Sequence, residues 1–295
     1  MFKNLNLFGV FIINKEKVIK RIVLEKKAQR KVNEHFSSII NNQKILEKEK
    51  IKFDGRYKPE SNEVLYIPNF SVGDDIKSAI KSSLSEEKVN LKEIEIENLK
   101  YTFIGTEIND EMVIAFQLIQ KSQHLTNKWI KLLHYSGTFK AVSENGFTLS
   151  DRVEAIIDNG NLIFGSYHFA KRIFDLKEYY REATDADLKE FMEDKSIKVE
   201  GENQFIENSD TWVRRKVALI KDSGVLEKNS VSEICNKGSE YNIDIPTVKK
   251  NGTKKILLAN DKRELKNVLK FLDEDIFKGI LSDQIFETNS KLIVD

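Results

Sequence analysis

At 295 residues, with 40% hydrophobic and 32% charged side chains, the chain has enough apolar surface to build a core, which excludes a disordered protein. A formal charge of +1 excludes a uniformly basic or acidic surface, and no apolar run approaches the roughly 20 residues that cross a bilayer. The single cysteine, Cys235, excludes an internal disulfide and a multi-cysteine zinc site and fits a reducing cytosol.

The first expected element is a hairpin over residues 5–24. Its apolar stretch, Leu7–Ile13, reads as a strand and not a signal peptide, because no small-residue cleavage site follows. Ala28, Val32, Phe36, Ile39 and Ile40 recur at three-to-four spacing and predict a helix. A loop over 53–59, a strand over Glu63–Ile67 stopped by Pro68 and a helix over 74–84 follow. Residues 99–119 read as two antiparallel strands around Asn109-Asp110. The second half opens near Phe139, with strands over 138–142 and 155–157, and Asp158-Asn159-Gly160-Asn161 turns into Leu162-Ile163-Phe164.

Phe169, Ile173, Leu176 and Tyr180 then predict a helix, and Thr184 caps the next, with Asp187 at the capping-box position. Another runs over 212–220 and stops at Ser223-Gly224. Ser230 with Glu233 opens a short helix reaching Cys235, which at helical spacing from Val231 is a small core residue and not a reactive thiol. Residues 247–258 form the clearest hairpin, because Asn251-Gly252 tolerates the positive φ of a type I′ turn. A final helix over 262–272 sets Leu265, Leu269 and Leu272 on one face. These elements predict an α+β fold with mixed or antiparallel sheets and packed helices. Two domains are expected, 1–137 and 138–295, the second with a winged-helix-like layout.

No motif specifies a reaction. G-x-x-x-x-G-K, G-x-G-x-x-G, H-E-x-x-H and G-x-S-x-G are missing, and His35, His124, His134 and His168 are dispersed. A metal-dependent nuclease needs clustered carboxylates. Glu86-Glu87-Lys88 lies in a polar loop or helix end, and of Asp151, Glu154 and Asp158 the last belongs to a tight turn. The expectation is therefore no catalytic residue, no metal and no cofactor, with a nuclease as the weaker alternative.

Charge distribution says more than its total. Residues 15–31 hold eight basic residues against two acids, and the 121–140 block holds Lys121, Lys128, Lys131 and Lys140 with no acid. Residues 182–210 hold ten acids against three lysines. Three clusters could neutralise phosphates. The first is the hairpin tip with Lys249, Lys250, Lys254 and Lys255, although lysines there also guard a sheet edge. The second is Arg214, Arg215 and Lys216. The third is Lys121, Lys128 and Lys131, among which Trp129, His134 and Tyr135 could pack against sugars or bases. The acidic block suggests instead a protein-docking scaffold.

Two sequence blocks carry a likeness. One is Lys254-Lys255-Ile256-Leu257-Leu258-Ala259-Asn260-Asp261-Lys262, then Leu269-Lys270-Phe271-Leu272-Asp273-Glu274-Asp275 and Ser282-Asp283-Gln284-Ile285-Phe286-Glu287-Thr288-Asn289-Ser290-Lys291. The other is Phe147-Thr148-Leu149, residues 153–164 and Phe174-Asp175-Leu176-Lys177-Glu178-Tyr179-Tyr180. Together they resemble the KwaB family, the soluble subunit of the bacterial Kiwa anti-phage defence system. The likeness covers the C-terminal half well and the first 140 residues loosely. It implies a cytoplasmic DNA-binding protein, a homodimer, held at the membrane by a KwaA-like partner subunit without inserting itself. It supplies no residue-level motif, so the named lysines and arginines rest on charge and turn chemistry alone.

Overall fold

Short polar turns set the strand pairings. In a computed structural model that describes all residues except 1, 3, 4, 91–93, 110, 129 and 293–295, β1 (Leu7–Ile13) and β2 (Glu16–Ile22) are joined by Asn14-Lys15. Both turn residues have positive φ, 51° and 71°, the requirement of a two-residue hairpin loop. The chain divides into two compact units, 1–53 with 58–176 and 54–57 with 177–295. The boundary expected at 137/138 falls instead at the turn of a hairpin inside the first unit.

In the first unit α1 (Lys26–Asn42), β3 (Glu49–Lys52), β4 (Glu63–Ile67) and α2 (Asp74–Lys81) precede the long hairpin of β5 (Leu99–Ile108) and β6 (Glu111–Leu118). Asp110, in the turn expected there, lies outside the described residues. Then come β7 (His124–Leu125), β8 (Lys131–Tyr135), β9 (Thr138–Val142), β10 (Gly146–Phe147), β11 (Ala155–Asp158), β12 (Asn161–Phe164) and α3 (Tyr167–Ala170). Eight strands form one sheet in the order β2-β1-β5-β6-β11-β12-β4-β3, antiparallel except for β3 against β4.

The sheet is covered on both faces, which is why its central strands read as unbroken apolar runs. On one face Ile104, Ala115, Ile156 and Ile163 lie in register and pack with Phe36 and Ile40 of α1. On the other, Phe8, Phe103 and Phe116 form a cross-strand row, with the Phe8 and Phe103 rings stacked at 5.0 Å. The helix predicted through residues 169–180 is not formed: α3 stops at Ala170. Phe174 turns inward instead, and its ring meets Phe116 edge-on at 4.9 Å. One tertiary contact of this size outweighs the modest gain of two further helical turns.

The second unit runs α4 (Asp185–Glu193), β13 (Ile197–Val199), α5 (Glu202–Asn208), α6 (Thr211–Ser223), α7 (Val225–Lys228), α8 (Val231–Glu240), β14 (Thr247–Lys250), β15 (Thr253–Leu258), α9 (Lys262–Leu272), β16 (Ile276–Lys278) and β17 (Ile285–Glu287). Both expected capping boxes form, Thr184 with Asp187 and Ser230 with Glu233. The backbone N–H of Thr184 holds the Asp187 carboxyl well below the usual carboxylate range. Asn251-Gly252 adopts φ of 50° and 80°, and β13 joins the hairpin parallel to β15 in a mixed three-stranded sheet. Val213, Val217 and Ile220 of α6 share a core with Leu265, Val268 and Leu269 of α9 and Ile256 and Leu258 of β15.

Residues 54–57 are the displaced stitch of this unit. The Arg215 guanidinium donates to Asp54 O at 3.0 Å and lies 4.3 Å from the Tyr180 ring centroid, while Lys291 N donates to Arg56 O at 3.2 Å. Gly55, at φ +78°, is required there, because a Cβ would fall on the guanidinium.

Candidate nucleic-acid interface

A basic cleft of about 830 Å³ lies in the first unit. Its walls come from three stretches: the start of β5, the end of β6 with the turn that follows, and the segment after α3. Strand pairing sets Ile119 N against Lys100 O, and a 3-10 turn, Lys121–Gln123, then redirects the chain. Gln120 and Gln123 close that turn reciprocally, and Gln123 donates to Thr148 O at 2.8 Å, tying it to the β7–β10 pair.

The result is an apolar floor of Leu99, Ile119 and Leu125 under a rim of Lys100, Lys121, Lys128, Lys131 and Arg172, with Glu97 as the acidic lining residue. Lys128 is paired with Glu97 at 2.9 Å, an interaction that holds its ammonium above the usual lysine range. Lys131 donates to Glu144 O. Lys100, Lys121 and Arg172 are exposed and make no ion pair among the described residues. His124 stands beside the floor, its Nε2 3.0 Å from Leu99 O. Lys121, Lys128 and Lys131 are thus gathered at one place, with Lys100 and Arg172 added from distant segments. Trp129 and the side chain of Tyr135 lie outside what is described, and His134 packs on Phe139 in the β8–β9 hairpin.

The hairpin lysines divide between two faces. Lys249 sits directly opposite Lys254, while Lys250 sits opposite Thr253. Lys249, Lys250 and Lys254 are exposed, whereas Lys255 turns back to Asp194 O and Ile197 O at 3.2 and 3.3 Å. Like charges facing each other across a ladder cost stability, so Lys249→Glu is expected to stabilise the protein by about 0.2–1 kcal/mol in urea unfolding. An unchanged or lower stability would mean that the two ammonium groups already avoid each other.

Arg214, Arg215 and Lys216 are occupied inside the second unit. Arg214 pairs with Asp185 at 2.6 Å and donates to Ala183 O. Arg215 is buried, donating to Arg181 O and Asp54 O, and burial pulls its guanidinium below the usual range. Lys216 pairs with Asp273 and Asp275. Three consecutive positions of a helix point some 100° apart, so a run of three cations cannot all face one partner.

Part of the acidic block is paired inside the second unit, Asp185 with Arg214 among them. Asp187 and Glu190 pair with Lys221, Glu202 with Lys198 and Asp210 with Lys262. Of the carboxylates considered for a nuclease, Glu154 is buried, accepts from Leu118 N at 2.8 Å and has its pKa pushed up by burial, while Asp158 faces Lys50 at 3.8 Å. Among the described residues no three His, Cys, Asp or Glu side chains gather as a metal ion would need. No helix among them is long and apolar enough to cross a membrane.

The family model for Kiwa protein KwaB-like matches residues 96–282, which include the whole lining of the cleft and the Asn251-Gly252 hairpin. No curated protein and no solved structure matches the chain. The matched span is well over half of the sequence and begins upstream of the half in which the likeness is most legible. The chain therefore belongs to the KwaB-like family and is a component of the Kiwa anti-phage defence system.

Proposed function

We propose that this chain is the DNA-binding subunit of a membrane-associated Kiwa defence complex, engaging DNA largely without sequence preference. In this reading it acts as a cytoplasmic homodimer, is held at the membrane by a KwaA-like partner and performs no catalysis of its own. The observation that carries DNA binding is the cleft: five cations and a single acid line it, drawn from stretches up to 75 residues apart in sequence (97 to 172). Cations matched to phosphates give affinity by releasing counterions and carry no base information. The exposed Lys249, Lys250 and Lys254 at the tip of a rigid turn are a second surface of the same kind.

The test is a triple reversal, Lys100→Glu, Lys121→Glu and Arg172→Glu, at positions whose side chains hold no ion pair among the described residues. Affinity for every duplex sequence should fall together. The slope of log K against log salt should flatten by about 0.9 for each phosphate no longer neutralised. Unchanged affinity and slope in a folded variant would exclude the cleft as the interface.

One observation favours a protein-binding role as a second reading. The β8–β9 hairpin forms its own two-stranded sheet and exposes Ile130, Leu132, Leu133 and Phe139. An isolated two-stranded ribbon is marginal in water, and exposed apolar clusters mark interaction sites. Binding carried by this surface would be nearly independent of salt, which separates it from the phosphate-driven reading.

A further inference from the structure

The shape of the cleft narrows what kind of DNA it receives. Duplex DNA offers its phosphates on a convex cylinder and keeps its bases stacked inside. A protein reads it by projecting a helix, ribbon or side chain outward into a groove. The cleft is the opposite: a concavity of about 830 Å³ with cations at the rim and apolar side chains below. That volume falls in the range of roughly 300–1,000 Å³ typical of sites that enclose a small ligand. A phosphate resting on the rim of such a cleft leaves the floor empty unless the attached base is free to turn inward. Leu125 is the partly exposed apolar side chain of the floor, whereas Leu99 and Ile119 are buried.

We infer that the cleft takes an unpaired DNA nucleotide, from a single strand or a frayed end, with its phosphate on Lys100, Lys121 and Arg172 and its base on Leu125. The inference rests on the DNA-binding reading above and specifies the form of DNA. Proteins that hold single strands combine a basic track with a surface for base faces. Aliphatic side chains accept any base face, so this recognition discriminates strandedness rather than sequence. His124, fixed beside the floor by its hydrogen bond with Leu99 O, adds a flat ring to the wall.

The test compares a single strand with a duplex of the same length by fluorescence anisotropy at several salt concentrations, using the full chain. Expected is at least tenfold tighter binding of the single strand by the wild-type protein. Leu125→Asn, which adds no charge, should lower single-strand affinity at least tenfold and duplex affinity by clearly less, because a duplex keeps its bases stacked away from the floor. Should that variant misfold, ultraviolet cross-linking of a 4-thiothymidine strand to the wild-type protein serves instead, with attachment expected at the cleft lining, within residues 97–100 or 119–131 or at Arg172. Equal affinity for both forms, or attachment elsewhere, overturns the inference but leaves DNA binding standing. Tight binding of thymidine monophosphate alone, competing fully with the strand, would assign the cleft to a free nucleotide and likewise overturn it. Binding of neither DNA form would remove the DNA reading itself.

Discussion

Replacing Lys216 with alanine is expected to destabilise the second unit by about 3–5 kcal/mol, the range for removing one partner of a buried charge pair. Its ammonium lies 2.5 Å from Asp273 Oδ2 and also pairs with Asp275, and the two carboxylates are only 3% and 5% exposed. Lys291 completes the set, 2.8 Å from Asp275 and 3.3 Å from Asp273. Two cations thus answer two anions away from water. Without Lys216, the two buried carboxylates share the single cation of Lys291, and the desolvation of one negative charge is no longer offset. Urea unfolding measures the loss, and hydrogen exchange should place it in α6 and α9. Lys216→Met retains the aliphatic stem without the charge and should recover little. A methionine variant as stable as wild type would show that packing, and not the ion network, is what Lys216 provides.

The second large effect belongs to the first unit. Phe116→Ala should cost about 3–5 kcal/mol, since it removes a fully buried ring and leaves a cavity that the surrounding sheet cannot close. The ring sits among Phe103 at 5.7 Å, Phe174 at 4.9 Å and Tyr101 at 6.3 Å, so three aromatic neighbours would border the void. Phe139→Ala is the control, because a phenylalanine 70% exposed should change stability by no more than about 0.5 kcal/mol. A loss below 1 kcal/mol for Phe116→Ala, from denaturant midpoints at unchanged slope, would mean that Phe174 and its loop collapse into the space.

Much of the fold is legible where a residue type has a local reason to be there. Asn251-Gly252 marks its hairpin because few residues tolerate positive φ, and Thr184 and Ser230 mark helix starts because their hydroxyls accept orphan backbone N–H groups. Legibility fails where distant partners decide. Residues 169–180 have helical spacing, but Phe174 and Tyr180 are each claimed by a separate neighbour, Phe116 in one unit and Arg215 in the other. Edge strand β3, spelled Glu-Lys-Ile-Lys, shows no buried alternation, since only its pairing to β4 makes it a strand.

The candidate site divides the same way. Lys121, Lys128 and Lys131 are visible as an acid-free block, and they line the cleft. Lys100 and Arg172 carry no signal, because nothing near either in sequence announces that β5 and the segment after α3 meet at that rim. Arg214–Lys216 mislead for a related reason. Their anions lie in segments far away along the chain, and Asp273, the acid that Lys216 meets, is 57 positions on.

The stitch formed by residues 54–57 has a consequence for biosynthesis. Those residues are flanked on both sides by sequence of the first unit, while Arg215 and Lys291, which hold them, are made much later. At roughly 5–20 residues per second, the interval between Arg56 and Lys291 lasts on the order of 10–50 s. Throughout it the nascent chain carries a four-residue loop whose final bonds do not yet exist. The first unit can therefore fold around this waiting loop, while the second is completed only after Lys291 has been made.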